Sequence, residues 1–306
     1  MSEPYLVIED LRRRFGRRLA LRGLSLSIPR HAVCAFVGAN GAGKTTTFSI
    51  IGQFIKPHGG RVLIEGQPLY RFRSEGGVIG LLPQDVQFYE SRTIARQLYM
   101  FARLAGFGRA EAAEEVERVL ALADLSDRAG DSAANLSRGM KVRLGVAQAL
   151  VGRPPLIILD EPTAGLDPRM QLAFRRNIEA VRGTATIVIS SHDLRELQEL
   201  CDYVCIIDEG RLVRQGPMSE ILGAVSRVVY HLEGFARYVV ELADHQPGVR
   251  YEVVDERTLQ AHFDPRVIDV PTLNQRVLGW ALERGVKIHA VDARRSLEES
   301  YLAETS

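Results

Sequence analysis

The chain has 306 residues, 46% of them hydrophobic, and a formal net charge of +1. That length predicts two domains, or one large domain with an appendage. The near-zero charge excludes a global field of the kind that draws nucleic acid or an acidic partner, so no nucleic acid is expected.

No apolar run approaches the roughly 18 residues that span a bilayer. The opening MSEPYLVIED lacks the basic-then-apolar order of a signal peptide. The three cysteines, Cys34, Cys201 and Cys205, have no histidine or further cysteine at metal-like spacing, which fits a reducing cytoplasm. The basic residues are nearly all arginine; Lys44, Lys56, Lys141 and Lys287 are the only lysines, so a lysine at a motif position carries extra weight.

In chain order, YLVIED (5–10), RVLIEG (61–66) and YVCIID (203–208) are short apolar runs ending in charged or glycine turns, and they predict an antiparallel edge or second sheet. VCAFV (33–37), LIILD (156–160) and TIVIS (186–190) are nearly continuous Val, Ile, Leu and Phe. Strands buried on both faces, as in a parallel sheet covered by helices, have that composition. Over residues 92–123, Leu98, Phe101 and Leu104, then Val116, Val119 and Leu120, recur at helical spacing. GPMSEIL (216–222) starts another helix. Beyond it the pattern predicts a strand at 227–232, a helix at 235–245, strands at 249–254 and 258–263, a helix at 271–284 and a strand at 286–291. That order, β-α-β-β-α-β, is the split βαβ of a ferredoxin-like domain. SLEESYLAE (296–304) predicts a last helix with Ser296 as its cap and Glu299 three residues on.

GANGAGKT, Gly38 to Thr45, fits the phosphate-loop pattern G-x-x-x-x-G-K-S/T between a buried strand and a helix. Its glycines let backbone N–H groups turn around a phosphate, and the helix N-terminus adds partial positive charge. Lys44 is placed to reach the β and γ phosphates and Thr45 to hold Mg²⁺. LIILDEPT puts Asp160 and Glu161 at the C-terminal tip of a strand, the edge where open α/β sheets bind ligands. Asp160 suits Mg²⁺, and Glu161 suits a general base toward water. His192 ends the run TIVISSH and Gln84 follows GLLP, 40 residues after Lys44. The histidine has a γ-phosphate role or a structural one, and the amide can touch Mg²⁺ without adding charge.

Taken together, these stretches resemble the ATP-binding subunit of an ABC transporter over about residues 5–220. GANGAGKTT is similar to the Walker A motif, which carries Gly38, Ala39, Asn40, Gly41, Ala42, Gly43, Lys44, Thr45 and Thr46 into the ATP-binding set. LIILDEPT is similar to Walker B, Gln84 to the Q-loop, AGLD (164–167) to the D-loop and His192 to the H-loop. Phe15, 23 residues before Gly38, matches the aromatic that stacks on adenine, or else is a core aromatic. LSRGM (136–140) stands where the family has its signature, usually LSGGQ, and departs from it at Arg138 and Met140.

The resemblance implies an α/β fold: a P-loop NTPase core over residues 1–220, with a parallel sheet, an antiparallel edge sheet and a helical insert at about 85–150. A small α+β domain, ferredoxin-like in order, follows at 221–306. It implies ATP and Mg²⁺ as cofactors, with Thr45, Gln84 and Asp160 on the metal and Glu161, His192 and Lys44 catalytic. It also implies head-to-tail pairing with a second ATPase subunit, identical or different, whose Ser137 and Gly139 complete the ATP site, with Asp167 linking the two sites. The C-terminal extension ending in LEESYL resembles those of ABC-2 type exporter subunits. A separate integral membrane permease is then expected to hold the chain on the inner face of the cell membrane. Its docking surface is expected in the insert near Phe88, Tyr89 and Tyr99. The run RRRFGRR (12–18) fits a solvated turn better than a contact with lipid or nucleotide. A non-transport ABC ATPase acting on ribosomes or nucleic acid, and a regulatory subunit with little hydrolysis, are the alternatives.

Overall fold

Three of the apolar runs form strands fully buried along their whole length: β3 (Val33–Val37), β7 (Leu156–Asp160) and β8 (Thr186–Ser190). The computed structural model describes residues 3–73, 76–222, 227–238, 242, 248–265, 267–293, 297 and 301. The chain divides into two compact units, Met1–Met218 and Ser219–Ala303.

In the first unit, β1 (Pro4–Phe15) and β2 (Arg18–Pro29) form a long hairpin. With β4 (Gly59–Ile64) and β5 (Gln67–Pro68) they make an antiparallel sheet of order β2-β1-β4-β5. The second sheet has the order β10-β9-β3-β8-β7-β6, with β6 (Ile79–Leu82), β9 (Tyr203–Asp208) and β10 (Arg211–Pro217) completing it. All its neighbours are parallel except β9 and β10. Helix α1 (Lys44–Ile51) buries Phe48, Ile50 and Ile51 in one apolar core with Leu21, Leu24 and Ile28 of β2 and Cys34 and Phe36 of β3.

One expectation is corrected. YVCIID does not join the antiparallel sheet: it is β9, parallel to β3, with Val204 to Ile207 buried in succession. The Glu209-Gly210 pair that follows makes the tight turn into β10, which takes the sheet edge in its place.

The helical expectation over 92–123 is met by α2 (Ile94–Leu104) and α3 (Arg109–Leu122). The Thr93 side chain caps α2 by accepting from the Arg96 amide, and the Glu111 carboxylate reaches back to the Gly108 amide at the start of α3. α4 (Arg138–Ala149) packs on both helices and on β6 and β7. α5 (Pro168–Val181) starts at Asp167, whose carboxylate accepts from the Met170 amide, and α6 (Leu194–Leu200) starts at Asp193. α7 (Met218–Leu222) ends the stretch. Among the described residues, no helix is long and apolar enough to cross a membrane.

In the second unit, β11 (Arg227–Glu233), β12 (Val249–Asp255), β13 (Thr258–Phe263) and β14 (Lys287–Asp292) form an antiparallel sheet of order β12-β13-β11-β14. Alternate residues of β11 and β13 (Val228, Tyr230, Leu232, Leu259, Ala261, Phe263) share a core with Leu273, Val277 and Trp280 of α8 (Val270–Glu283). That alternation is what a sheet with one covered face requires. The expected helix at 235–245 and the last helix at 296–304 fall largely outside the described residues.

Candidate functional site

The buried strand β3 delivers the chain to Gly38 at the C-terminal edge of the six-stranded sheet. The loop that follows needs glycine where it turns: Gly41 and Gly43 have φ of 87° and 112°, in the left-handed region that other residues avoid. Gly43 is the N-cap of α1 and brings no side chain to the first turn, which leaves those amides facing the loop. Lys44 Nζ donates to the Gly38 carbonyl at 2.6 Å and the Ala39 carbonyl at 3.3 Å, and Ala42 is buried beneath the loop. Burial lowers the Lys44 pKa, while the charges of Glu161 and Asp160 oppose that shift.

Asp160 ends β7 with only 3% of its surface exposed. Burial raises its pKa, and hydrogen bonds from Ser190 and Thr45 work against that rise. The sheet register sets Ser190, the last residue of β8, directly beside Asp160. The Ser190 hydroxyl donates to Asp160 Oδ1 at 2.5 Å and accepts from the Glu161 amide at 3.0 Å. Glu161 itself has φ of 52°, a left-handed conformation held by that bond and by a second from its amide to the Ser190 carbonyl (3.2 Å). Its Oε2 lies 2.8 Å from His192 Nδ1 and accepts from the His192 amide at 3.3 Å. The imidazole is 74% exposed.

Lys44, Asp160 and Glu161 border a cleft of about 380 Å³ whose lining also includes Phe15, Asn40, Gly41, Gly43, Thr45, Thr46 and Gln84, whereas Gly38, Ala39, Ala42, Ser190 and His192 are not part of that lining. Gln84 enters from the segment after β6. Phe15, at the hairpin end of β1, is 47% exposed; this is not a core aromatic. Arg13 stacks on the Phe15 ring at 4.7 Å while donating to the Lys56 carbonyl at 2.8 Å.

Ser137 and Gly139 do not line this cleft. Ser137 caps α4, accepting from the Met140 amide at 3.3 Å. Gly139 is buried, and a Cβ there would lie 2.2 Å from Met170 Sδ, so the Met170 side chain of α5 packs directly against it. Arg138 is exposed and its guanidinium lies over Gly165, 3.1 Å from where a Cβ would stand.

Two participants were not singled out by sequence. Arg18 lines the cleft and reaches over Gly41, with Nη2 2.6 Å from a Cβ placed there. It pairs across the hairpin with Phe15, so the RRRFGRR run is not wholly a solvated turn. The signal was the two-residue turn Gly16-Arg17, which sets positions 15 and 18 side by side. Ser190 is the other, and its signal was a hydroxyl ending a strand of the same length as LIILD.

The ABC transporter family model matches residues 21–164. The Nod factor export ATP-binding protein I of Ralstonia nicotianae is 33% identical over 226 residues, covering 72% of this chain and 70% of that protein. The chain belongs to the ABC transporter ATP-binding subunits. As such it is an ATP-binding ATPase. An uncharacterized ABC transporter ATP-binding protein of Bacillus subtilis, YhaQ, is 31% identical over 268 residues, 84% of this ABC subunit and 89% of the relative. A methionine import ATP-binding protein of Brucella abortus is 32% identical over 228 residues, 72% of this chain and 62% of its own length. Among solved structures, cbiO1 of Clostridium perfringens, part of the ABC transporter complex cbiONQ, superposes with a TM-score of 0.63 at 30% identity over 72% of this chain and 91% of that one.

Proposed function

We propose that this ABC ATPase hydrolyses ATP at a site shared between two subunits and so powers export through a separate ABC-2 type membrane permease. The observation that carries the reading is the division of the expected residues. Lys44, Thr45, Gln84, Asp160 and Glu161 meet at one cleft, whereas Ser137 and Gly139 stand outside it on α4. A second subunit, identical or different, is then needed to bring Ser137 and Gly139 over the γ-phosphate.

Phe15 stacks on the adenine with Arg13 behind its ring. The loop amides of Gly38 to Thr46 and the Lys44 ammonium hold the β and γ phosphates. The donor set fits Mg²⁺: the Thr45 hydroxyl and the Asp160 carboxylate both line the cleft, and Gln84 adds a neutral oxygen. Among the described residues, no group of three or more His, Cys, Asp and Glu gathers as a cation cage. When bound, that ion neutralises charge developing on the phosphates. Glu161 takes a proton from the attacking water. His192, on Glu161 Oε2, orients that carboxylate and faces the γ-phosphate.

Export is supported by the Nod factor export relative, and import by the methionine import relative. The C-terminal sheet, with β13 between β12 and β11 and β14 outside, supports a ferredoxin-like accessory domain over about 221–306, serving dimer assembly or regulation. The chain would sit in the cytoplasm against the inner membrane face, held by the permease through its helical insert near Phe88, Tyr89 and Tyr99. Replacing Glu161 with Gln is expected to abolish steady-state hydrolysis and leave ATP binding intact. Unchanged turnover would refute the general-base assignment. Cargo-stimulated ATPase activity with the adjacent permease in vesicles of known orientation separates export from import.

A further inference from the structure

Glu196 is a carboxylate with no place in the chemistry above, yet only 4% of its surface is exposed. One oxygen is used: the Thr163 hydroxyl donates to Oε2 at 2.5 Å. The other, Oε1, is buried and has no hydrogen-bond partner among the described residues. Burial pushes the carboxyl pKa up, with the Thr163 bond and the Arg175 charge opposing. Arg175 itself is paired with Glu199, so it does not neutralise Glu196 directly. A buried carboxylate satisfied on one side costs stability relative to an apolar side chain of the same size. Its presence therefore calls for a role other than holding the core together.

The position supplies that role. Thr163 is two residues after Glu161, and Glu196 is four after His192. Both flanking segments are stiff. On one side, the Ala164 amide donates to the Glu161 carbonyl and the Leu166 amide to the Thr163 carbonyl. On the other, Asp193 Oδ1 accepts from the amides of Arg195 and Glu196, and the Asp193 amide donates to Ser191 Oγ. Two short rigid segments leave adjacent strands, and the Thr163–Glu196 bond ties them beyond the point where Glu161 and His192 meet.

We infer that Glu196 is a positioning residue for ATP hydrolysis: through Thr163 it fixes the distance between the Glu161 and His192 segments, and so the aim of the Glu161 carboxylate. This rests on the reading of Glu161 as general base. A shift of about 1 Å in such a group costs on the order of a hundredfold in rate, whereas the phosphate loop that binds ATP does not touch Glu196.

The test uses the full chain and four variants: Glu196→Leu, Glu196→Gln, Thr163→Val, and the double Glu196→Leu/Thr163→Val. Glu196→Leu and Thr163→Val are each expected to lower kcat by roughly ten- to a hundredfold, with KM for ATP within about twofold of the parent. Glu196→Gln, whose amide oxygen still accepts from Thr163, should keep most of the turnover. The double variant should lose no more than either single one, because both remove the same bond. The melting temperature of Glu196→Leu should equal or exceed that of the parent. The inference is overturned if either single variant turns over like the parent. It is equally overturned if the kcat loss comes with matching losses of ATP affinity and thermal stability, the signature of a structural role. Glu161→Gln, measured alongside, separates the two levels. If it is inactive while Glu196→Leu is normal, positioning alone fails; if it is active, the general-base reading has failed first.

Discussion

Replacing Ser190 with Ala removes one oxygen from a fully buried position where that oxygen serves two partners. The Asp160 carboxylate loses its 2.5 Å donor, and the Glu161 amide loses a 3.0 Å acceptor but keeps the Ser190 carbonyl at 3.2 Å. The net loss is therefore one buried hydrogen bond to a charged group, worth about 1.5–3 kcal/mol. For a unit of this size each kcal/mol moves the melting temperature by about 2–4 °C, so a fall of roughly 3–12 °C is expected. The effect carries a pH signature. The Ser190 bond lowers the Asp160 pKa, so it favours the charged form, and its contribution is present above the titration of Asp160 and fades as pH falls through it. Burial raises that pKa, which puts the window above the ordinary aspartate range. Differential scanning fluorimetry of parent and Ser190→Ala at neutral pH, and again at stepwise lower pH, should show a gap that narrows toward acid. Equal melting temperatures at neutral pH, or a gap that widens toward acid, would refute the reasoning.

Lys44→Ala removes a half-buried cation from the phosphate loop; ATP binding by calorimetry should weaken by at least about thirtyfold through the lost charge-assisted bonds. Phe15→Ala should weaken ATP by about tenfold through lost stacking. Arg18→Gln should cost less, roughly threefold, and its effect should shrink at high salt, because the side chain stands at an open cleft. Arg138→Gly leaves the Ser137 cap and the buried Gly139 in place, so turnover within about threefold of the parent is expected; a large gain would show that the arginine impairs the signature.

Much of the fold was legible because burial on two faces writes itself as a continuous apolar run. VCAFV, LIILD and TIVIS are β3, β7 and β8 residue for residue. YVCIID is buried at its four middle residues but ends in a polar turn, and that ending made an interior strand resemble an edge. The cleft was legible through Gly41, Gly43 and Lys44, because a phosphate loop needs left-handed backbone and one cation within a few residues. What stayed hidden joins residues far apart in sequence. Ser190 meets Asp160 only through the sheet register, and Thr163 meets Glu196 only because two loops leave neighbouring strands together. Arg18 was nearer to hand, but a run of arginines hides the one that hairpin geometry turns toward the cleft. Gly139 also meets a contact that sequence does not show, the Met170 side chain of α5 lying over its Cα.

The central claim is that the site in one chain is incomplete and that ATP closes it against a second subunit. The direct measurement is the mass in solution of the Glu161→Gln protein by light scattering, with and without Mg-ATP. From a 34.0 kDa chain, ATP should produce a species of twice that mass, and Ser137→Arg in the same background should prevent it. A protein that binds ATP fully yet keeps the same mass, or pairs equally well with Ser137 replaced, would contradict the account.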